Sequence, residues 1–221
     1  APWDAQRAGI KNVILPEGMT SVGDNAFAGC EALIAVAIPT SVTNIGNAAF
    51  QNCTALSAVL IPEGVQTIED NAFKGCSALT SVYAQAQTPP VLGNTVFNSK
   101  PVCYVPTGGV LATYQVSTWA NFATSFEEQD KKCGDNLYWL YVDSTLIVVG
   151  TGEMMNNSSY SNIPWYSIRS SITSAYLPEG LKSIGNDAFY YCGNLTDITI
   201  PNSVTAIGSY AFYNCSSLSS I

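Results

Sequence analysis

The chain has 221 residues, 47% hydrophobic and 11% charged, which excludes a disordered tail and allows one large or two small domains with cores of their own. Sixteen acidic against eight basic residues give a net charge of -8, which repels phosphate backbones and anionic membranes and excludes nucleic acid as a partner. Histidine is absent, so Ser-His and Cys-His catalysis, His-ligated zinc and imidazole acid–base chemistry are removed together.

The first residue, Ala1, is not preceded by an initiator Met or a signal-peptide h-region, and reads as a processed or cloned start. "PWDAQRAGI" at 2–10 leads into three copies of a 23-residue unit at 11–33, 34–56 and 57–79, and two more follow at 173–195 and 196–218. Such a period marks a solenoid, in which each coil buries its apolar face only by stacking on its neighbours. Positions 3 and 5 (Val13/Leu15, Val36/Ile38, Val59/Ile61, Ala175/Leu177, Ile198/Ile200) alternate with polar or small residues, the pattern of a short strand with one buried face. Position 6 is proline in every copy and ends that strand, "PEG", "PTS" or "PNS" turns the chain, and a second short extended piece closes on Val22, Ile45, Ile68, Ile184 or Ile207.

Position 14 holds Asp24, Asn47, Asp70, Asn186 and Ser209, residues suited to an N-cap. Position 19 holds Gly29, Asn52, Gly75 and Asn214, which accept a left-handed cap, with Tyr191 as the exception. Between them the pattern predicts a single helical turn that carries Phe27, Phe50, Phe73, Phe189 and Phe212 inward. Cys30, Cys53, Cys76, Cys192 and Cys215 follow directly and form an inner ladder with rungs about 4.8 Å apart. Parallel stacked Cβ atoms keep that same spacing rather than the roughly 3.8 Å a disulfide prefers, so the reading is small free thiols filling a wall. Metal binding would want convergent C-x-x-C pairs, which are absent.

After Leu79 the pattern decays. "GNTVF" at 93–97 keeps the cap and turn but Lys100 stands near the cysteine position, and "CYVP" at 103–106 matches the strand, with Cys103 inward. Val110, Leu111, Tyr114, Trp119 and Phe122 are spaced for one helical face, a candidate end piece over the last rung. "EEQDKK" at 127–132 reads as a charged linker. From Cys133, "LYWLYV-DS-TLIVVG" predicts a hairpin turning at Asp143–Ser144, and "PWYSIRSSI" at 164–172 matches the Pro, Trp, Arg and Ile of "PWDAQRAGI". The expected organisation is a first module at 1–126 whose N-terminal cap is truncated, a linker at 127–132, and a second module at 133–221 that stops just inside a further coil at Ile221. Cys103 and Cys133 flank the linker and are the pair open to bridging in an oxidising compartment.

"LPEGMTSVGDNAFAGC" and "IPNSVTAIGSYAFYNC" resemble the repeats of BspA-type leucine-rich-repeat surface proteins of host-associated bacteria and some anaerobic protozoa. The expected fold is a leucine-rich-repeat solenoid of short parallel strands and one-turn helices, mainly β with little helix, in two capped modules. The resemblance implies a non-enzymatic module at the cell surface or in the extracellular space, attaching to host matrix proteins or other cells. Adjacent modules of a longer chain are further candidate partners. A carbohydrate-binding or carbohydrate-active accessory module is the alternative.

Chemistry is sparse. Glu17 and Glu63 share position 7 about 10 Å apart, near the upper limit for an inverting glycosidase, but Thr40 lies between them and "PEG" is ordinary turn chemistry. Asp24, Asp70 and Asp187 are weighed as calcium ligands, and capping explains the first two. Trp3, Trp119, Trp139 and Trp165 fall in cap segments, where covering an exposed end is favoured over stacking on a sugar. Asn52, Asn156, Asn157, Asn194 and Asn214 satisfy N-x-[ST], two of them as part of the repeat itself. No catalytic residue, metal ligand or cofactor is expected, and no apolar run approaches the roughly 20 residues that cross a bilayer. The candidate binding stripe is position 4, outward by strand alternation: Ile14, Ala37, Leu60 and Tyr83, then Tyr176 and Thr199.

Overall fold

The computed structural model describes residues 4–219 and divides into two compact units, Ala1–Asp130 and Lys131–Ile221. Ala1, Pro2, Trp3, Ser220 and Ile221 lie outside the described residues.

After a 3-10 helix at Asp4–Gly9, the first unit winds through β1 (Asn12–Ile14), β2 (Ser21–Val22), β3 (Ala35–Ala37), β4 (Asn44–Ile45), β5 (Ala58–Ile61), β6 (Thr67–Ile68), β7 (Ser81–Ala84), β8 (Val91–Leu92), β9 (Val102–Val105), helix α1 (Leu111–Gln115) and β10 (Ser125–Glu128). Odd-numbered β1 pairs with β3, β5 with β7 and β7 with β9, while β2, β4, β6 and β8 form a second sheet; every pair is parallel. The register sets Val13 beside Val36 and Val59 beside Val82, so residues one period apart stack. Alternation then buries Val36, Ile38, Val59 and Ile61 inside, each at most 1% exposed. Phe27, Phe50, Phe73 and Phe97 form a continuous column with ring centroids 5.4, 5.2 and 5.4 Å apart. The fourth ring comes from "GNTVF", so the decayed copy still supplies a rung.

The segment expected as a one-turn helix takes another form. Ala26, Ala28 and Cys30 donate their N–H groups within the coil, to Gly23, Asn25 and Phe27, while Asn25, Phe27 and Gly29 donate to Asn47, Ala49 and Gln51 of the next coil. A left-handed residue at position 15 (Asn25, Ala48, Asn71) and again at position 19 (Gly29, Asn52, Gly75) turns alternate N–H groups along the stack, which satisfies groups that an isolated helical turn would orphan. Position 14 also works between coils: Asp24 Oδ1 accepts from the Asn47 backbone at 2.9 Å and Asp70 Oδ1 from Asn94 at 2.7 Å. The donors on Asn94 hold the Asp70 carboxyl below its ordinary range. Gly46 is required by this closeness, since a Cβ there would lie 2.5 Å from Asp24 Oδ1 and 2.9 Å from the Val22 carbonyl.

The predicted end helix is broken in two. Helix α1 and a 3-10 turn at Thr118–Asn121 together bury Tyr114 and Trp119, with Val110, Leu111 and Phe122 packed against the same cluster. Glu127 and Glu128, assigned by charge to the linker, extend β10, which pairs in parallel with β9.

The second unit runs through β11 (Lys132–Gly134), β12 (Leu137–Val142), β13 (Thr145–Gly150), β14 (Gly152–Glu153), β15 (Ser174–Tyr176), β16 (Leu181–Ile184), β17 (Asp197–Thr199) and β18 (Ala206–Ile207). The hairpin of β12 and β13 turns at Asp143 and Ser144, both at positive φ (47° and 61°), the backbone a two-residue type I′ turn demands. β13 then pairs in parallel with β15, so the hairpin is itself the first rung of the stack. "PWYSIRSSI" forms a 3-10 helix at Tyr166–Ser171, matching the one at Asp4–Gly9. Trp165 is 1% exposed and donates Nε1–H to the Ala188 carbonyl at 2.7 Å, with Trp139 on one side and Phe189 on the other.

All seven cysteines are free; Cys215 is half-buried and the others are buried. Cys53, Cys76 and Cys215 direct their thiols at the carbonyls of Phe27, Phe50 and Phe189, 3.0–3.2 Å away. Burial pushes the Cys103 and Cys192 thiols up to about 12 and Cys133 upward as well. Ellman titration of the native protein near neutral pH should therefore register little thiol, because six of the seven cysteines are buried away from the reagent, and denaturant should release all seven. Disulfide-linked peptides joining Cys30, Cys53 and Cys76 in a mass map would overturn this reading.

Candidate functional site

Position 4 lies outside the inner hydrophobic clusters throughout, but its exposure is uneven. Ile14 is 50% exposed and Thr199 is exposed, Tyr83 and Tyr176 are half-buried, and Ala37 and Leu60 are only 4% and 2% exposed. Alternation sets the face a side chain takes, and burial on that face is a separate property. The structure adds Tyr104, which follows Tyr83 in the parallel register, with the two rings stacked at 4.7 Å and 13°. Burial, then the neighbouring Tyr104, raises the Tyr83 phenol above its ordinary range. Parallel pairing places Leu60 directly beside Tyr83 and Glu127 beside Tyr104.

Glu17 is half-buried and Glu63 exposed on turns between the sheets. Among the described residues, no group of three or more His, Cys, Asp or Glu is placed to hold a metal ion. Trp119, Trp139 and Trp165 are buried at 0%, 8% and 1%, packed into their own unit's hydrophobic cluster.

A second aromatic surface escaped sequence reasoning. On the turn side of the second unit, Tyr160, Tyr190 and Tyr213 stack in a ladder with centroids 4.9 and 5.2 Å apart and planes 18° and 15° from parallel. Tyr191 lies across Tyr190 and Tyr213 at 55° and 52°, Tyr210 meets Tyr213 edge-on at 83°, and Tyr166 joins Tyr160 at 5.7 Å. The Arg169 guanidinium sits 3.8 Å over the Tyr166 ring and donates to the Tyr166 carbonyl. The signal available in the sequence was position 18, where Ala28, Gln51 and Lys74 of the first unit give way to Tyr190 and Tyr213.

The family model described as "BspA type Leucine rich repeat region" matches residues 6–103 and 155–221, in six copies. No curated protein matches the chain. Among solved structures, a T. pallidum leucine-rich-repeat protein is 24% identical over 95% of this chain and 78% of its own, with a TM-score of 0.40. A leucine-rich-repeat protein from Bacteroides ovatus is 21% identical over 94% of this chain, with a TM-score of 0.30, and a leucine-rich cell surface protein from Faecalibacterium prausnitzii is 24% identical over 94%, with a TM-score of 0.28. The chain spans 59% and 58% of the length of those last two.

Proposed function

The chain belongs to the BspA-type leucine-rich-repeat family, and from that premise we propose that it is a non-enzymatic binding or adhesion module, secreted or held at the cell surface, whose strand face engages a protein such as host extracellular matrix or a component of another cell. The observation that supports this is the Tyr83–Tyr104 pair. Two stacked rings stand outside the inner cluster, each with an apolar body and a hydrogen-bonding tip, on a strand ladder that holds them rigid. Tyrosines held in this way lose little entropy on binding and are common anchors of protein interfaces. Ile14 and Thr199 are the exposed members of the stripe, and Tyr176 offers a further half-buried ring.

The test is a Tyr83→Ser/Tyr104→Ser double variant measured against immobilised fibronectin, fibrinogen and collagen, with circular dichroism as the folding control. The parent should bind at least one of these proteins and the folded variant should bind it about tenfold or more weakly. Equal binding by folded variant and parent would remove the strand face as the site.

A further inference from the structure

Among the outward-facing residues of the first unit's strand face, Glu127 alone carries a charge. On β1, β3, β5, β7, β9 and β10, every other residue that alternates with the inner row is Asn, Ser, Ala, Val, Ile, Leu or Tyr. Glu127 is exposed, and the parallel register puts it on the rung after Tyr104, which itself follows Tyr83. Edge strands often carry charge that deters pairing with another chain. Exposed Glu128 already meets that need on β10, the edge strand of its sheet, so the charge on the tyrosine row calls for another reason.

The Tyr83 and Tyr104 centroids are 4.7 Å apart with planes 13° from parallel, close to the separation of adjacent strands, so the stack runs along the ladder. The facing sides of the two rings cover each other. The remaining face of Tyr104 is turned toward the next rung, where Glu127 stands. The Glu127 charge is felt as far as the Tyr83 phenol, one rung further on.

A tyrosine ring face and a carboxylate are both negative. A neutral or anionic group covering this end would strip water from Glu127 and supply no counter-charge, which is unfavourable. A cation gains from both groups at once. Arginine fits better than lysine, because a planar guanidinium lies flat on a ring while its edge N–H groups fork onto a carboxylate. The lysine ammonium is a compact, strongly hydrated point charge. The second unit uses the same ring pairing internally, with the Arg169 guanidinium 3.8 Å over the Tyr166 ring.

We propose that the Tyr104–Glu127 end of the strand face receives an arginine side chain of the protein partner, stacked on Tyr104 and paired with Glu127. This rests on the reading of the Tyr83–Tyr104 face as a protein-binding surface, and names the chemistry recognised there.

The full chain is titrated by calorimetry with synthetic peptides in which serine alternates with arginine, with lysine or with glutamine, and circular dichroism checks that each variant folds. The arginine peptide should bind most tightly. Glu127→Gln should weaken that binding about tenfold, and Tyr104→Ser should weaken it too. Glu128→Gln removes the same charge from the adjacent position, which shares the facing of Phe126, and should bind like the parent. That control separates a local pairing from general attraction to an acidic protein. The proposal is overturned if the parent binds no peptide, if the lysine peptide binds as tightly as the arginine peptide, or if Glu127→Gln and Glu128→Gln behave alike. Against immobilised fibronectin, fibrinogen and collagen, Glu127→Gln should lose attachment together with Tyr83→Ser/Tyr104→Ser. If the tyrosine variant loses attachment and Glu127→Gln keeps it, the strand face stands as the site and the arginine assignment falls. If both keep it, the strand-face reading fails and the assignment falls with it.

Discussion

Phe50→Ala is expected to destabilise the first unit by about 3–5 kcal/mol, the range for emptying a buried phenylalanine site. The ring is fully buried between Phe27 and Phe73, with both neighbours within 10° of parallel. Collapse into the vacated space is resisted because the Phe50 N–H is bonded to the Ala72 carbonyl and the Phe27 N–H to the Ala49 carbonyl, which fixes the separation of the three coils. Phe212→Ala should cost the second unit clearly less. That ring is half-buried and, among the described residues, stacks on Phe189 alone, so its coil can rearrange or fray at small expense. Urea denaturation of the two variants decides the matter, and equal losses would contradict coils that are stabilised mainly by their neighbours.

The legible part of the fold was whatever repeats. Pro39 and Pro62 mark strand ends, and the Phe and Cys columns follow from setting five copies in register, because a stack turns sequence period into spatial adjacency. The destination of each hydrogen bond was not legible. Asp24 satisfies the rule for an N-cap whether the N–H it accepts belongs to its own coil or the next, and only the closeness of stacked coils shows that it belongs to Asn47. The left-handed backbone at Tyr191 is a related case, since cross-coil bonding imposes it on any residue at that position. Side-chain facing was readable from alternation, whereas the burial of Ala37 and Leu60 was not, because period two names a face and says nothing of what fills the space beside it. The tyrosine ladder was missed for a third reason. Tyr190 and Tyr213 share a repeat position, but Tyr160 comes from the irregular segment before the coils and joins them only through the packing of that segment.

Trp119→Ala should rival Phe50→Ala, at about 3–5 kcal/mol, because this side chain closes the end of the phenylalanine column. It is fully buried, its ring lies 6.0 Å from Phe97, and Tyr114 meets it edge-on at 5.4 Å. Its Nε1–H donates to the Pro90 carbonyl at 2.8 Å, and the Tyr114 hydroxyl donates to Ala86 at 2.9 Å, so two aromatic residues of the end piece hold both ends of the 86–90 loop. Trp119→Phe separates the two contributions: the apolar cover over Phe97 largely stays, while the Pro90 carbonyl loses its donor at a cost of about 1–3 kcal/mol. If coverage dominates, Trp119→Phe retains most of the stability, and hydrogen exchange quickens chiefly at the Val91 and Gly93 amides that follow the released loop, which bond to Gln66 and Ile68. Should Trp119→Phe instead cost as much as Trp119→Ala, the end piece acts as a hydrogen-bonded clasp on the loop, and the buried ring contributes little of the stabilisation.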